Sequence, residues 1–343
     1  MSIELIPAVD LASYTTLGVG GKADYFVRIE RVKEVPWLCE KIISMSCPLT
    51  ILGGGSNVLV SDSGVRGVVA LMAMVGIDTK EEGDDVLVRV GAGVVFDDLV
   101  EYCARQGWWG LENLSHIPGT VGATPIQNVG AYGVEVSEVI DTVQVFDRQK
   151  ERFIDMLASD CGFQYRDSLF KSAKGRFIVV SVTFRLSKKP MPKLHYADLN
   201  QYFISKKNID VCDVRKAVVE IRSNKFPKWQ DGLVGTAGSF FKNPIVDETT
   251  LARLKAKCPD LPVYEVGNGK VKLSLGWILD KLLNRKGYKK GAVGHYEKQA
   301  LVLVVDHKKS SAEEIDLFAK EVEDLVNSEL GIKIEREVTM VGV

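Results

Sequence analysis

No Cys-x-x-Cys pair occurs in the chain, and its six cysteines (Cys39, Cys47, Cys103, Cys161, Cys212 and Cys258) are scattered. None stands at metal-ligand spacing from a histidine, and the four histidines are far apart, so no metal is expected. Free thiols in a reducing compartment are the expected state. Charge of one sign is also scarce. A net charge of −1 over 343 residues gives no basic field for nucleic acid or an anionic membrane. No apolar run approaches the roughly 20 residues that span a bilayer. The opening MSIELIPAVD lacks a basic segment followed by an apolar one, and no lipidation signal is seen. A cytoplasmic protein with no nucleic-acid or membrane partner is expected. What is present, 46% hydrophobic and 26% charged residues, is the composition of a globular enzyme with room for two or three domains.

Short β-branched runs alternate with helical stretches, which reads as an α/β or α+β fold. Strands are expected at 26–29, 49–52, 58–60, 65–72, 86–90, 139–147, 152–156 and 177–186, the last with clean alternation. Helices are expected at 35–45, with Pro36 at its start, and at 96–106, ended by Gly107. Residues 115–133 read as a long ordered loop or a short helix between loops. Lys188 to Lys193, with two prolines, reads as a boundary or an excursion out of the sheet. After about 210 the composition changes. Helices are expected at 213–224, 273–283 and 311–329, the last opened by Ser310 or Ser311 with Glu313 or Glu314 as a capping box. Strands are expected at 300–305 and 332–341. There is no internal repeat.

Five short segments carry chemistry. Gly53-Gly54-Gly55-Ser56-Asn57 follows a strand, so the backbone can turn with φ > 0 and present N–H groups to a pyrophosphate. The plain alternative is a tight turn between strands. No GxGxxG opens a long helix and no Walker A motif is present, so a nucleotide would not be held in Rossmann style. Residues 117–133, IPGTVGATPIQNVGAYG, leave little to pack and let a flat or charged ligand approach the backbone, with Gln127 and Asn128 able to meet a ring edge. An unliganded Ω-loop is the alternative. Tyr165-Arg166-Asp167-Ser168 offers a guanidinium fork for a carboxylate, or a simple surface pair. Gly238-Ser239-Phe240-Phe241-Lys242-Asn243-Pro244 sets a hydroxyl among aromatics. No GxSxG or partner histidine makes it a nucleophile, so it is a proton donor or a turn serine. In Glu335-Arg336-Glu337 the strand period would put both carboxylates on one face.

In this order the five blocks, ending with Glu337-Val338, resemble the UDP-N-acetylenolpyruvoylglucosamine reductases (UDP-N-acetylmuramate dehydrogenases) over about Thr16 to Val341. The resemblance implies an α+β fold: a two-part FAD-binding module of the vanillyl-alcohol-oxidase type, 1–72 joined by a C-terminal strand at 331–343, then 73–210, and a substrate-binding domain at 211–330. It implies non-covalent FAD held by Gly53 to Asn57 and by Pro118, Gly119, Thr120, Gly122, Ala123, Gln127, Asn128 and Gly130, with His116 a packing residue. It implies that NADPH reduces FAD and leaves, and that UDP-N-acetylglucosamine enolpyruvate then enters the same site of a monomer to become UDP-N-acetylmuramate, a step of peptidoglycan precursor synthesis. Arg166 and Glu337 match the residues that stabilise the enol-type intermediate, and Ser239 the one that protonates it. Tyr165, Asn243 and Gln299 match substrate contacts, and Arg222 and Lys225 a diphosphate site. Tyr196, within Leu194 to Leu199, matches the tyrosine of the longer subtype that packs on the nucleotide. The amino-terminal Tyr14-Thr15-Thr16 replaces a more usual Asn-Thr pair, and the chain ends six residues after Glu337. Two other readings stay open: a flavin oxidase of the same fold, and a flavin- or UDP-sugar-binding protein without turnover.

Overall fold

The computed structural model describes residues 3–227 and 234–342. The chain divides into two compact units, one of Met1–Val9, Ala23–Gly55 and Val65–Arg222, the other of Asp10–Lys22, Ser56–Gly64 and Ser223–Val343.

The first unit holds two sheets. In the four-stranded sheet the order is Ile6–Asp10, Lys22–Ile29, Val65–Met72, Leu49–Leu52, and Val65–Met72 runs parallel to the strands on both its sides. Helix Glu34–Met45 makes the crossover. Its Val35, Leu38, Cys39 and Ile42 recur at helical spacing and are buried in one cluster with Val27, Ile29, Val68 and Ala70. The second sheet is antiparallel, in the order Arg152–Leu157, Ile140–Asp147, Phe177–Ser187, Asp85–Gly91, Ile77–Glu82. Strand Phe177–Ser187 departs from the clean alternation expected of it. Ile178 and Val180 join the cluster of helix Glu34–Met45, while Val179, Val182 and Phe184 join the core under helix Phe96–Arg105. A strand covered on both faces reads as a continuous apolar run.

Helix Val211–Lys225 buries Val211, Val214, Ala217 and Val218 with Leu199, Phe203, Ala104 and Trp109. The first unit ends at Arg222, inside this helix.

The second unit is organised by helix Ala312–Leu330. Ser311 Oγ accepts from Glu314 N and Glu314 Oε2 accepts from Ser311 N, both at 3.1 Å, which closes the expected capping box. The Asp62 carboxylate takes two more N–H groups of that first turn, from Ala312 and Glu313. Two expectations fail here. Residues 273–283 are not one helix: Lys270–Leu273 is a strand between Ile245–Asp247 and Val263–Gly267, and only then come the helical turn Leu275–Trp277 and the π-turn Ile278–Leu282. Val271 and Leu273 are buried two apart, a strand period that the neighbouring leucines disguise. Likewise 332–341 is not one strand. Only Thr339–Val341 forms a ladder, parallel to Val58–Val60.

Candidate active site

The two glycine loops meet in the first unit. A Cβ on Gly53 would sit 2.7 Å from Thr120 Oγ1, and one on Gly54 would sit 2.8 Å from Gly119 Cα. Gly55 and Gly119 have φ of +62° and +113°, conformations open chiefly to glycine. The second loop is pinned by Phe96 N–H to Gly119 O at 3.0 Å, Val121 N–H to Val94 O at 2.9 Å and Gly122 N–H to Ala92 O at 2.9 Å. Thr120 Oγ1 is buried and has no hydrogen-bond partner among the described residues. Backbones stripped of side chains, with an uncommitted hydroxyl between them, suit a pyrophosphate. Gly53 and Gly54, expected at the FAD pyrophosphate, are thus packed against Gly119 and Thr120 of the second loop. Ser56 and Asn57, the end of the same motif, belong to the second unit.

Asn128, expected at the flavin, is held by three hydrogen bonds. Its Nδ2 donates to Glu135 Oε2 at 2.7 Å and to Gln164 O at 3.1 Å, while Oδ1 accepts from Ser137 N at 3.1 Å. The amide has three partners inside the protein at a buried position with φ of +45°, so this side chain braces the loop. The brace reaches Arg166. Gln164 and Asp167 exchange backbone hydrogen bonds around a two-residue turn that holds Arg166 at φ of +54°. From there Nη2 donates to Gly130 O at 2.6 Å, and the guanidinium lies 5.5 Å from the centroid of the Tyr165 ring. Arg166 and Tyr165 are thereby brought to the Gln127–Gly130 segment. A non-glycine residue in the left-handed region costs roughly 1–3 kcal/mol and is held there by its surroundings.

Arg222 bonds Tyr132 and donates from Nε to His116 O at 3.1 Å. Burial depresses the pKa of Arg222 and pushes the Tyr132 hydroxyl up to about 12. The Tyr196 ring meets the Tyr132 ring edge to face, with centroids 5.1 Å apart. His116 has φ of +61° and a buried Nδ1 without a partner among the described residues. Its N–H donates to Asp97 Oδ1 at 2.5 Å. Asp97 is paired in turn with Arg215 by contacts of 2.6 and 3.1 Å. Burial raises the pKa of Asp97, but the Arg215 and His116 bonds outweigh it and hold it low. Sequence reasoning missed Asp97. An acid in the first turn of a helix reads as a partner for the dipole and nothing more.

In the second unit, Ser239 bridges to Val302 in antiparallel fashion, and Phe240 N–H donates to Leu301 O at 3.0 Å. On the other side Glu337 N–H and Val338 N–H both reach Phe240 O, at 2.9 and 3.5 Å. Two residues opposite one is the geometry of a bulge, which re-aims side chains. Glu335 is exposed and pairs with Lys242 at 2.9 Å, whereas Glu337 is half-buried. Arg336 turns to helix Ala312–Leu330 and binds Glu323 and Asp316. Asn243 Oδ1 accepts from Leu275 N at 3.0 Å. Gln299 Oε1 lies so near Gly276 that a Cβ there would be 2.9 Å away. These two expected substrate contacts are brought to one turn, Leu275–Trp277. Lys225 stands one helical turn beyond Arg222 on Val211–Lys225.

Compared with known proteins, residues 23–154 match the family model of an FAD binding domain. Residues 229–341 match that of the UDP-N-acetylenolpyruvoylglucosamine reductase C-terminal domain. The reductase of that name from Chromobacterium violaceum is 39% identical, covering 98% of this chain and 99% of the relative. The chain belongs to the UDP-N-acetylenolpyruvoylglucosamine reductase family. The family reductase of Bdellovibrio bacteriovorus is 40% identical over 96% of this chain and 97% of its own length. The crystal structure of the Thermus caldophilus reductase shares the fold, with a TM-score of 0.66 at 24% identity over 99% of each chain. The chain is an α+β flavoenzyme, an FAD-dependent oxidoreductase, as its order of motifs implied.

Proposed function

We propose that the chain reduces UDP-N-acetylglucosamine enolpyruvate to UDP-N-acetylmuramate with electrons from NADPH, the reaction class that its family's name describes. When bound, FAD supplies the two-electron carrier between nicotinamide and the enolpyruvyl double bond. The loops at Gly53–Gly55 and Pro118–Gly130 hold it non-covalently, and His116 packs beside them. Arg166 takes the substrate carboxylate in its planar fork, and Glu337 steadies the charge that spreads into that carboxylate as the double bond is reduced. Ser239 donates its hydroxyl proton to the carbon next to the carboxylate. A serine is a weak acid in water, but against a strongly basic carbon it can give its proton up. Tyr196, Tyr165, Arg222, Lys225, Asn243 and Gln299 bind the UDP-sugar.

The observation that carries these roles is the bond from Glu337 N–H to Phe240 O at 2.9 Å, which sets the Glu337 and Ser239 segments side by side. On this reading the enzyme is a cytoplasmic monomer in which NADPH and the UDP-sugar use one site in turn. By the resemblance, 1–72 with 331–343 and 73–210 form the flavin-binding part, and 211–330 the substrate-binding part. Among the described residues no helix is long and apolar enough to cross a membrane.

Anaerobic stopped-flow absorbance tests the proposal. NADPH should bleach the flavin, and the enolpyruvyl substrate should restore its colour. Bleaching that only oxygen reverses would point to an oxidase, and no bleaching to a binding protein.

A further inference from the structure

One buried side chain ties the flavin loop to the segment that carries Tyr196, and no step above uses it. Asn113 lies in the 3-10 turn Glu112–Leu114 and is 0% exposed. Its Nδ2 donates twice, to Lys193 O at 2.8 Å and to Tyr132 O at 3.1 Å. Oδ1 is buried with no hydrogen-bond partner among the described residues. Leaving a buried acceptor unsatisfied costs stability, so the amide is held by what its two donors reach. A flipped amide, or a carboxylate, would set oxygen against two carbonyl oxygens.

The contacts beyond Asn113 converge on Tyr196. Between Ser187 and Ala197 the chain has neither helix nor strand of its own, so side contacts must locate it. Lys193 pairs with Glu138. His195 lies against Gly133, where a Cβ would be 2.4 Å from its Nε2. Tyr196 rests edge-on against the ring of Tyr132, whose carbonyl Asn113 holds.

We infer that Asn113 is a positioning residue for the substrate nucleotide: by joining Lys193 O to Tyr132 O it sets the fraction of molecules in which Tyr196 is in place. The inference rests on the proposed packing of Tyr196 against that nucleotide. Apparent affinity scales with the binding-competent fraction, so loosening the segment weakens binding and leaves the filled site's chemistry alone.

The test uses flavin-loaded full-length enzyme and UDP-N-acetylglucosamine enolpyruvate as the probe. Asn113→Asp opposes both carbonyls. Asn113→Leu removes both bonds without burying a charge and serves if the first variant fails to fold. Each should raise the Kd for the probe by about tenfold or more. The kcat at saturation should stay within about threefold, and flavin content should be unchanged. Limited trypsin digestion should cut the Lys193–Leu194 bond faster in both variants, with the probe protecting it. A fall in kcat at unchanged KM would overturn the inference, and so would a raised Kd with no change in cleavage. Tyr196→Ala separates the two ideas. If it leaves Kd unchanged, the nucleotide reading itself fails. If it raises Kd while the Asn113 variants do not, only the role of Asn113 fails.

Discussion

Asn57 Nδ2 donates to the backbone carbonyl of Glu337 at 3.1 Å, and Asn57 O accepts from Thr339 N–H at 3.0 Å. The last residue of the first glycine motif is therefore a clamp on the segment that carries a proposed catalytic carboxylate, 280 positions away along the chain. Asn57→Ala removes the side-chain half of the clamp and keeps the backbone half. A part-buried bond of this kind contributes about 1 kcal/mol, so thermal unfolding should shift down by a few degrees. Flavin reoxidation by the enolpyruvyl substrate should slow more than reduction by NADPH, because only the former uses Glu337. Equal slowing of both in stopped flow would mean the clamp is purely structural.

Ser239→Ala should fold and bind FAD normally, since the main-chain bridge to Val302 does not need the hydroxyl. Reduction by NADPH should stay near wild type, and reoxidation by substrate should fall by about 10²–10⁴-fold, the usual weight of a positioned proton donor. If both half-reactions fail together in a flavin-loaded variant, the donor role is wrong.

Gly54→Ala places a methyl 2.8 Å from Gly119 Cα, a backbone atom with nowhere to move. The two loops must part, at a cost of about 1–3 kcal/mol for overpacking. The expected result is protein with native circular dichroism that purifies with little flavin, read from the ratio of flavin absorbance to protein absorbance. Full flavin content would show that the contact is not part of the cradle.

His295 is completely buried, and its Nδ1 lies 2.5 Å from Ala300 O. Burial lowers its pKa from 6.5 to about 4. The folded state thus favours the neutral ring, and the unfolded chain binds more protons between these values. Stability from this group is fully present above pH 6.5 and is lost as pH falls toward 4, by up to about 3 kcal/mol. Urea unfolding at pH 7.5 and at pH 5 should show the loss in wild type and a smaller one in His295→Leu. Comparing the two proteins isolates His295 from the Glu112 carboxyl, whose pKa burial raises and whose contribution has the opposite sign.

The motifs and several elements were legible because their signals are local. A glycine run after a strand needs no distant partner to be read, and the Ser311 to Glu314 capping box spans a single turn. The order of the five motifs named the family, and the full-length likeness to the Chromobacterium violaceum reductase agrees with it. Strand Ile77–Glu82 was invisible because five of its residues, Asp78 to Glu82, are polar, and only pairing with Asp85–Gly91 makes them a strand.

The sequence by itself determined the cofactor class and the family, since these depend on side-chain types in a set order. Tertiary structure alone decided how those side chains are held. Asn128 braces the loop through three partners from other segments, which its place in the motif does not show. The Glu337 segment is held by two backbone bonds to Phe240 O, from Glu337 N–H and Val338 N–H. Asn113 gave no sign in the sequence because both carbonyls it joins, those of Tyr132 and Lys193, come to it only on folding. A backbone acceptor has no side-chain identity, so a hydrogen bond to it leaves no mark on the sequence that supplies it.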